Sequence, residues 1–126
     1  MAYMYFNSNP IGNRVGDCTV RAISALTGAS WDDTYMGLSL QGFMDKDMPS
    51  SNSVWDAYLR HLGYNKFIAP NCPNCITVNE FANEHPKGRF LLATGSHVVA
   101  LIDGTWLDTW DSSMEKIIYY YTKQEE

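Results

Sequence analysis

His97-Val-Val-Ala-Leu-Ile-Asp-Gly-Thr-Trp-Leu-Asp108 is the stretch from which the fold is best read. Asp103-Gly104 separates two apolar runs, which is the strongest short hairpin signal a sequence carries. If 103 and 104 form the turn, Ile102 pairs with Thr105 and position 97 lies opposite 110. Asp108 then falls opposite position 99, a diagonal neighbour of His97 on the same face. Working upstream, Arg89-Phe-Leu-Leu-Ala-Thr94 is a second compact run between Gly88 and Gly95. Downstream, Lys116-Ile-Ile-Tyr-Tyr-Tyr121 reads as a last strand, and Tyr64 to Ile68 as one more.

The first part of the chain has a helical period instead. Asp17-Cys18-Thr19 precedes Val20, Ile23 and Leu26, a series that stops at Gly28, with Asp17 as N-cap and Cys18 in the first turn. Ser30-Trp31-Asp32-Asp33 opens a second helix with Trp31, Tyr35 and Leu38 on one face. Asn52 or Ser53 caps a third, through Val54, Trp55, Tyr58, Leu59 and Leu62 to Gly63. Thr77-Val-Asn-Glu80 is a capping box for a short fourth helix ended by Pro86. The layout expected is α+β: N-terminal helices packed on a C-terminal antiparallel meander, one domain over residues 1–126.

The totals agree with a single globular unit. The chain has 126 residues, 45% apolar and 18% charged, without repeats or low-complexity tracts. A net charge of -5 and a pI near 5.0 argue against nucleic acid or an anionic membrane as main partner, since both select clustered Lys and Arg. No run approaches the about 20 apolar residues that span a bilayer. The opening Met1-Ala-Tyr-Met-Tyr-Phe6 lacks a basic n-region and meets Asn7 and Pro10, so it does not read as a signal peptide. Three cysteines, an odd number, point to at least one free thiol and a cytoplasmic setting.

Chemistry centres on Cys18. A thiol attacks only as thiolate, and a helix N-terminus stabilises that anion with free N–H groups and the helix dipole. The remaining needs are a base and a group to orient it. His97, after the Gly95-Ser96 turn, lies at the sheet rim; Asp108 is within reach across the hairpin, with Asp111 as fallback. Taken singly, each is more often structural: a Cys as a small buried hydrophobe, a His as a cap, an Asp as a turn former. Their order and placement together make the case.

That order, a cysteine on a helix followed by a histidine and an acid on consecutive antiparallel strands, resembles the papain-like cysteine peptidase superfamily. Asp17-Cys18 is similar to the Asp-Cys-Gly start of the leader-processing peptidases of peptide exporters, and His97-Val-Val to their histidine strand. Gly-Asp-Cys-Thr-Val-Arg-Ala-Ile and Gly-Ser-His-Val-Val with Asp-Thr-Trp-Asp also resemble segments of short phage and gut-bacterial proteins. The resemblance implies a papain-like fold and a cofactor-free thiol hydrolase acting on peptide or protein amides. It implies Cys18 as nucleophile, His97 as base and Asp108 as orienter. The family usually carries Gln six residues before the cysteine; Gly12 stands there, and Asn13, one residue later, offers the carboxamide for an oxyanion, with the Cys18 backbone N–H.

Other features carry rival readings. Cys72-Pro-Asn-Cys75 suits a redox dithiol or a plain loop; zinc needs four ligands, and no second pair exists. A papain-like module that binds without catalysis is the other alternative. Trp31, Trp55, Trp106 and Trp110 read as core by their spacing, with the lining of a substrate groove as the alternative, and Trp110 is the one expected to shield His97 and Asp108 from water. Arg14 and Arg21 flank Cys18 and read as solvent-facing by default, or as partners of a carboxylate or the thiolate. His61 and His85 read as helix C-terminal residues.

Overall fold

The computed structural model describes residues 1–13, 16–69 and 75–123. In chain order the elements are β1 (Ala2–Tyr5), α1 (Cys18–Thr27), α2 (Trp31–Asp45), α3 (Asn52–His61), β2 (Asn65–Ile68), α4 (Val78–Glu84), β3 (Arg89–Ala93), β4 (Val98–Ile102), β5 (Thr105–Asp108) and β6 (Tyr119–Thr122). This is the α+β class, with helices packed on a six-stranded sheet.

The hairpin forms as its turn chemistry requires. Asp103 and Gly104 adopt φ values of 49° and 82°, the left-handed region that a two-residue type I′ turn needs at both positions. Ile102 pairs with Thr105, Leu101 with Trp106 and Ala100 with Leu107. On the other side β4 pairs antiparallel with β3, from Arg89–Ile102 to Ala93–Val98.

The sheet is not the simple meander expected from sequence. Its strand order is β1-β5-β4-β3-β6-β2. After β5 the chain leaves the hairpin and returns as β6 on the far side of β3. The connecting segment is tied to the start of α4: Val78 N–H donates to Glu115 O and Ile117 N–H to Ile76 O, both at 2.9 Å. The N-terminal residues add a strand absent from the layout expected from sequence, β1, parallel to β5 with Tyr5 opposite Asp108.

Alternation along the central strands divides the core in two. Leu91, Ala93 and Val98 pack with Ile23, Leu26, Leu38, Trp55 and Leu59 of the first three helices. Phe90, Leu92, Val99, Leu101 and Trp106 pack with Val78, Phe81 and Ala82 of α4. The sheet therefore lies between two helical layers, which anchors α1 by its apolar face and leaves its N-terminus at the sheet end.

Helix boundaries follow local chemistry with two exceptions. Gly28 ends α1 at φ 80° with its N–H on Ser24 O; Ser30 caps α2 through the Asp33 N–H; Thr77 and Glu80 form the full capping box of α4. Ser51, not Asn52 or Ser53, occupies the N-cap of α3, because Asn52 accepts from Trp55 Nε1 and Ser53 donates to Asp47. Asp17 holds the N-cap position of α1 without capping it by side chain; its carboxylate is used elsewhere. No helix among the described residues is long and apolar enough to cross a membrane.

Candidate active site

Cys18 is the first residue of α1 and a free, partly buried thiol. The first amides of a helix have no intrahelical acceptor, so they and the dipole favour negative charge there. Burial, the largest influence, raises the thiol pKa. A hydrogen bond from His97, the Val98 N–H, and the positive charges of His97 and Arg21 outweigh it and bring the thiol below its ordinary value.

His97 directly precedes β4, where its carbonyl accepts from Thr94 N–H at 2.8 Å and Thr94 Oγ1 at 3.1 Å. This closes the Gly95-Ser96 turn and fixes the imidazole at the rim. Nε2 bonds Asp108 Oδ2 at 2.6 Å, which leaves Nδ1 as the ring nitrogen for the Cys18 contact. Burial pulls the imidazole pKa down, but the bonds and charges of Asp108 and Cys18 prevail and raise it to about 9. Both shifts favour the thiolate–imidazolium pair, the form in which a sulfur attacks and a ring can give up a proton.

Asp108, 1% exposed, is satisfied at every side. Besides His97, Oδ2 accepts from Ser112 Oγ at 2.9 Å; Oδ1 accepts from Arg21 at 3.1 Å and from the Thr109 N–H at 2.8 Å. Burial opposes its ionisation, yet the His97 bond and charge, then Ser112 and Thr109, hold it below the usual carboxylate range. Arg21 lies one turn along α1 from the cysteine and also binds Asp17 at 2.6 Å. The second Asp17 oxygen accepts from Trp31 Nε1 at 2.8 Å. With one oxygen on the Arg21 guanidinium, an ion pair, and the other on Trp31 Nε1, the Asp17 carboxylate is turned away from the helix amides. Asp17, Arg21, Asp108, His97 and Cys18 thus form one chain of contacts linking α1 to the hairpin.

Of the residues singled out by sequence, Cys18, His97 and Asp108 come together. Asp111 does not join them: it accepts from Trp106 Nε1 at 3.0 Å and from the Ser113 N–H. Trp110 covers the histidine, ring centroids 4.9 Å apart. Asn13 is exposed in the preceding loop, its N–H on Asn9 Oδ1 and its carbonyl accepting from Asn7, and it does not line the Cys18 cleft. Arg21 is buried, not solvent-facing, and takes the carboxylate role; Arg14 lies outside the described residues. So does Cys72, while Cys75 is disulfide-bonded. His61 bonds Gln41 at the end of α3, and His85 stacks on Phe81 after α4. Among the described residues no cluster of His, Cys, Asp or Glu could hold a metal.

Sequence reading missed the parts of the site that act through other residues: Ser112, the Thr109 N–H, and the Asp17–Trp31 bond. The one signal available was Arg21 at i+4 from Asp17, a helical ion-pair spacing.

The site opens on a cleft of about 350 Å³ between the start of α1 and the β3–β4 turn, with Cys18, His97, Trp55, Ser96 and Tyr119 among its walls. Comparison of this chain with protein-family models, curated proteins and solved structures finds no match.

Proposed function

We propose that this protein is a thiol-dependent hydrolase of peptide or protein amides, related to the papain-like cysteine peptidases. The observation that carries the reading is the contact series Cys18–His97–Asp108: a thiol shifted toward its anion, an imidazole raised to about 9, and a buried carboxylate on the far ring nitrogen. The helix-borne cysteine followed by His and Asp at a hairpin supports the papain-like relationship by order and placement.

In this reading the Cys18 thiolate attacks the amide carbonyl carbon and forms a C–S bond. The oxyanion meets the Cys18 N–H at the helix start. The C–N bond then breaks, with the His97 Nδ1 proton passing to the leaving amine. Water attacks the acyl-enzyme, gives its proton to His97, and releases the carboxylic acid and the thiolate. Asp108 holds the ring orientation throughout and stabilises its charged form.

Alkylation tests the reading without a known substrate. Iodoacetamide should modify Cys18 rapidly well below pH 8, as mapped by mass spectrometry, and His97→Ala should abolish that fast labelling. If Cys18 reacts no faster than a free model thiol at the same pH, the proposal fails.

A further inference from the structure

We infer that the outer face of α2 pairs with the same face of a second copy of this chain, as an antiparallel two-fold dimer. A surface helix ordinarily turns its apolar stripe inward. α2 does the reverse. Its buried positions are Thr34, Leu38, Gln41 and Gly42, on the side that packs against α1 and α3. Met36, Leu40, Phe43 and Met44 follow at helical spacing on the opposite side, with Met48 just past the helix end, and these five are 56–70% exposed. Exposed apolar side chains scattered singly are ordinary, but a contiguous stripe of this kind marks an interaction surface.

Area and charge select a second copy as the occupant. At these exposures the stripe presents on the order of 600 Å² per copy, so a symmetric pair buries about 1,200 Å², the low end of specific interfaces. A two-fold contact also requires the face to be complementary to itself. Asp33 lies in the first turn of α2 and Lys46 at its C-terminal end, and neither forms an ion pair among the described residues. The acids flanking Lys46 are engaged within the chain: Asp45 accepts from Gln41, and Asp47 from the Met48 N–H and Ser53. Two copies run antiparallel about an axis beside Leu40 set Asp33 against the partner's Lys46, twice. Phe43 and Met48 flank a shallow hollow beside Gly42. The same pairing brings the partner's Met36 to it, a flexible thioether suited to an irregular gap.

Sedimentation velocity on the full chain over a concentration series tests the pairing. The mass should rise from that of one chain, 14.3 kDa, toward twice that, with a midpoint in the micromolar range that a small interface gives. Leu40→Glu sets like charges together at the axis, and Met36→Lys puts a charge into the apolar stripe. Each should weaken association by about a hundredfold or more. Both positions are exposed in the single chain, so urea unfolding of the dilute variants should match the parent. Asp33→Lys and Lys46→Asp should each weaken self-association by about tenfold, and an equimolar mixture of the two should recover it, because antiparallel pairing re-forms both ion pairs. A chain still monomeric at about 200 µM, far above a micromolar Kd, overturns the dimer and gives the face to a different protein. Association that survives both Leu40→Glu and Met36→Lys overturns the α2 face. Mixing without recovery overturns the antiparallel arrangement.

Discussion

Replacing Arg21 by Met tests whether the site depends on a buried ionic brace. The guanidinium and its two carboxylates are 6%, 5% and 1% exposed at the side chain, so water cannot replace the lost partner. Removing one member of a buried pair typically costs about 3–5 kcal/mol, because an uncompensated charge remains. For 126 residues, with unfolding entropy of about 2.1 cal/mol/K per residue, this lowers Tm by about 10–20 °C. Arg21→Lys keeps a charge but not the fork that reaches both carboxylates, and should fall between. The pH dependence carries a sign. The Asp108 carboxyl lies below its ordinary 3.8 in the folded protein, so it contributes stability above that value and loses it as pH falls through the folded pKa. Without Arg21, protonation of Asp108 relieves the uncompensated buried charge, so the deficit of Arg21→Met should shrink from pH 7 to pH 4. Urea unfolding across that range measures it. A deficit below about 1 kcal/mol at pH 7, or one that grows toward acid, would refute the brace.

Asp108→Asn removes the charge that lifts His97 to about 9; the thiolate form should retreat to higher pH, slowing iodoacetamide labelling near pH 6.5 on the order of tenfold. Asp111→Asn, whose carboxylate serves Trp106 and Ser113, should leave the labelling profile within about twofold. Thr77→Ala opens the capping box of α4 and should cost about 1 kcal/mol in urea unfolding with labelling unchanged.

What could be read from sequence was local or periodic. Asp103-Gly104 encodes its own turn, and once the turn is placed, the ladder carries Asp108 to the neighbourhood of His97. Gly28, Ser30 and the Thr77–Glu80 box likewise act within a few residues. The helical period of Val20, Ile23 and Leu26 located α1 and, with it, Cys18. The unread parts are non-local. β1 is four residues long and exists by pairing with β5, which no local pattern announces. β6 lies beside β3 because of bonds between the 109–118 segment and the start of α4. Arg21 looks like an ordinary surface charge until tertiary structure brings Asp108 over it. Asp17 reads as a cap for the same reason: its true partners, Arg21 and Trp31, compete for the carboxylate only in the folded state.

The parallel strand β1 has a consequence for the order in which the site is assembled. Phe6 N–H and Tyr3 Oη both donate to the Asp108 carbonyl, the latter across 105 residues of sequence. Contacts of that separation require closure of a long loop and so belong to the late steps of folding. During synthesis β1 leaves the ribosome before β5 and waits for it, while Cys18 and α1 are made long before His97 and Asp108. On the proposed hydrolase reading, the thiol therefore spends translation without its base, and reactivity should arise only when the hairpin docks against both the helix and the first strand.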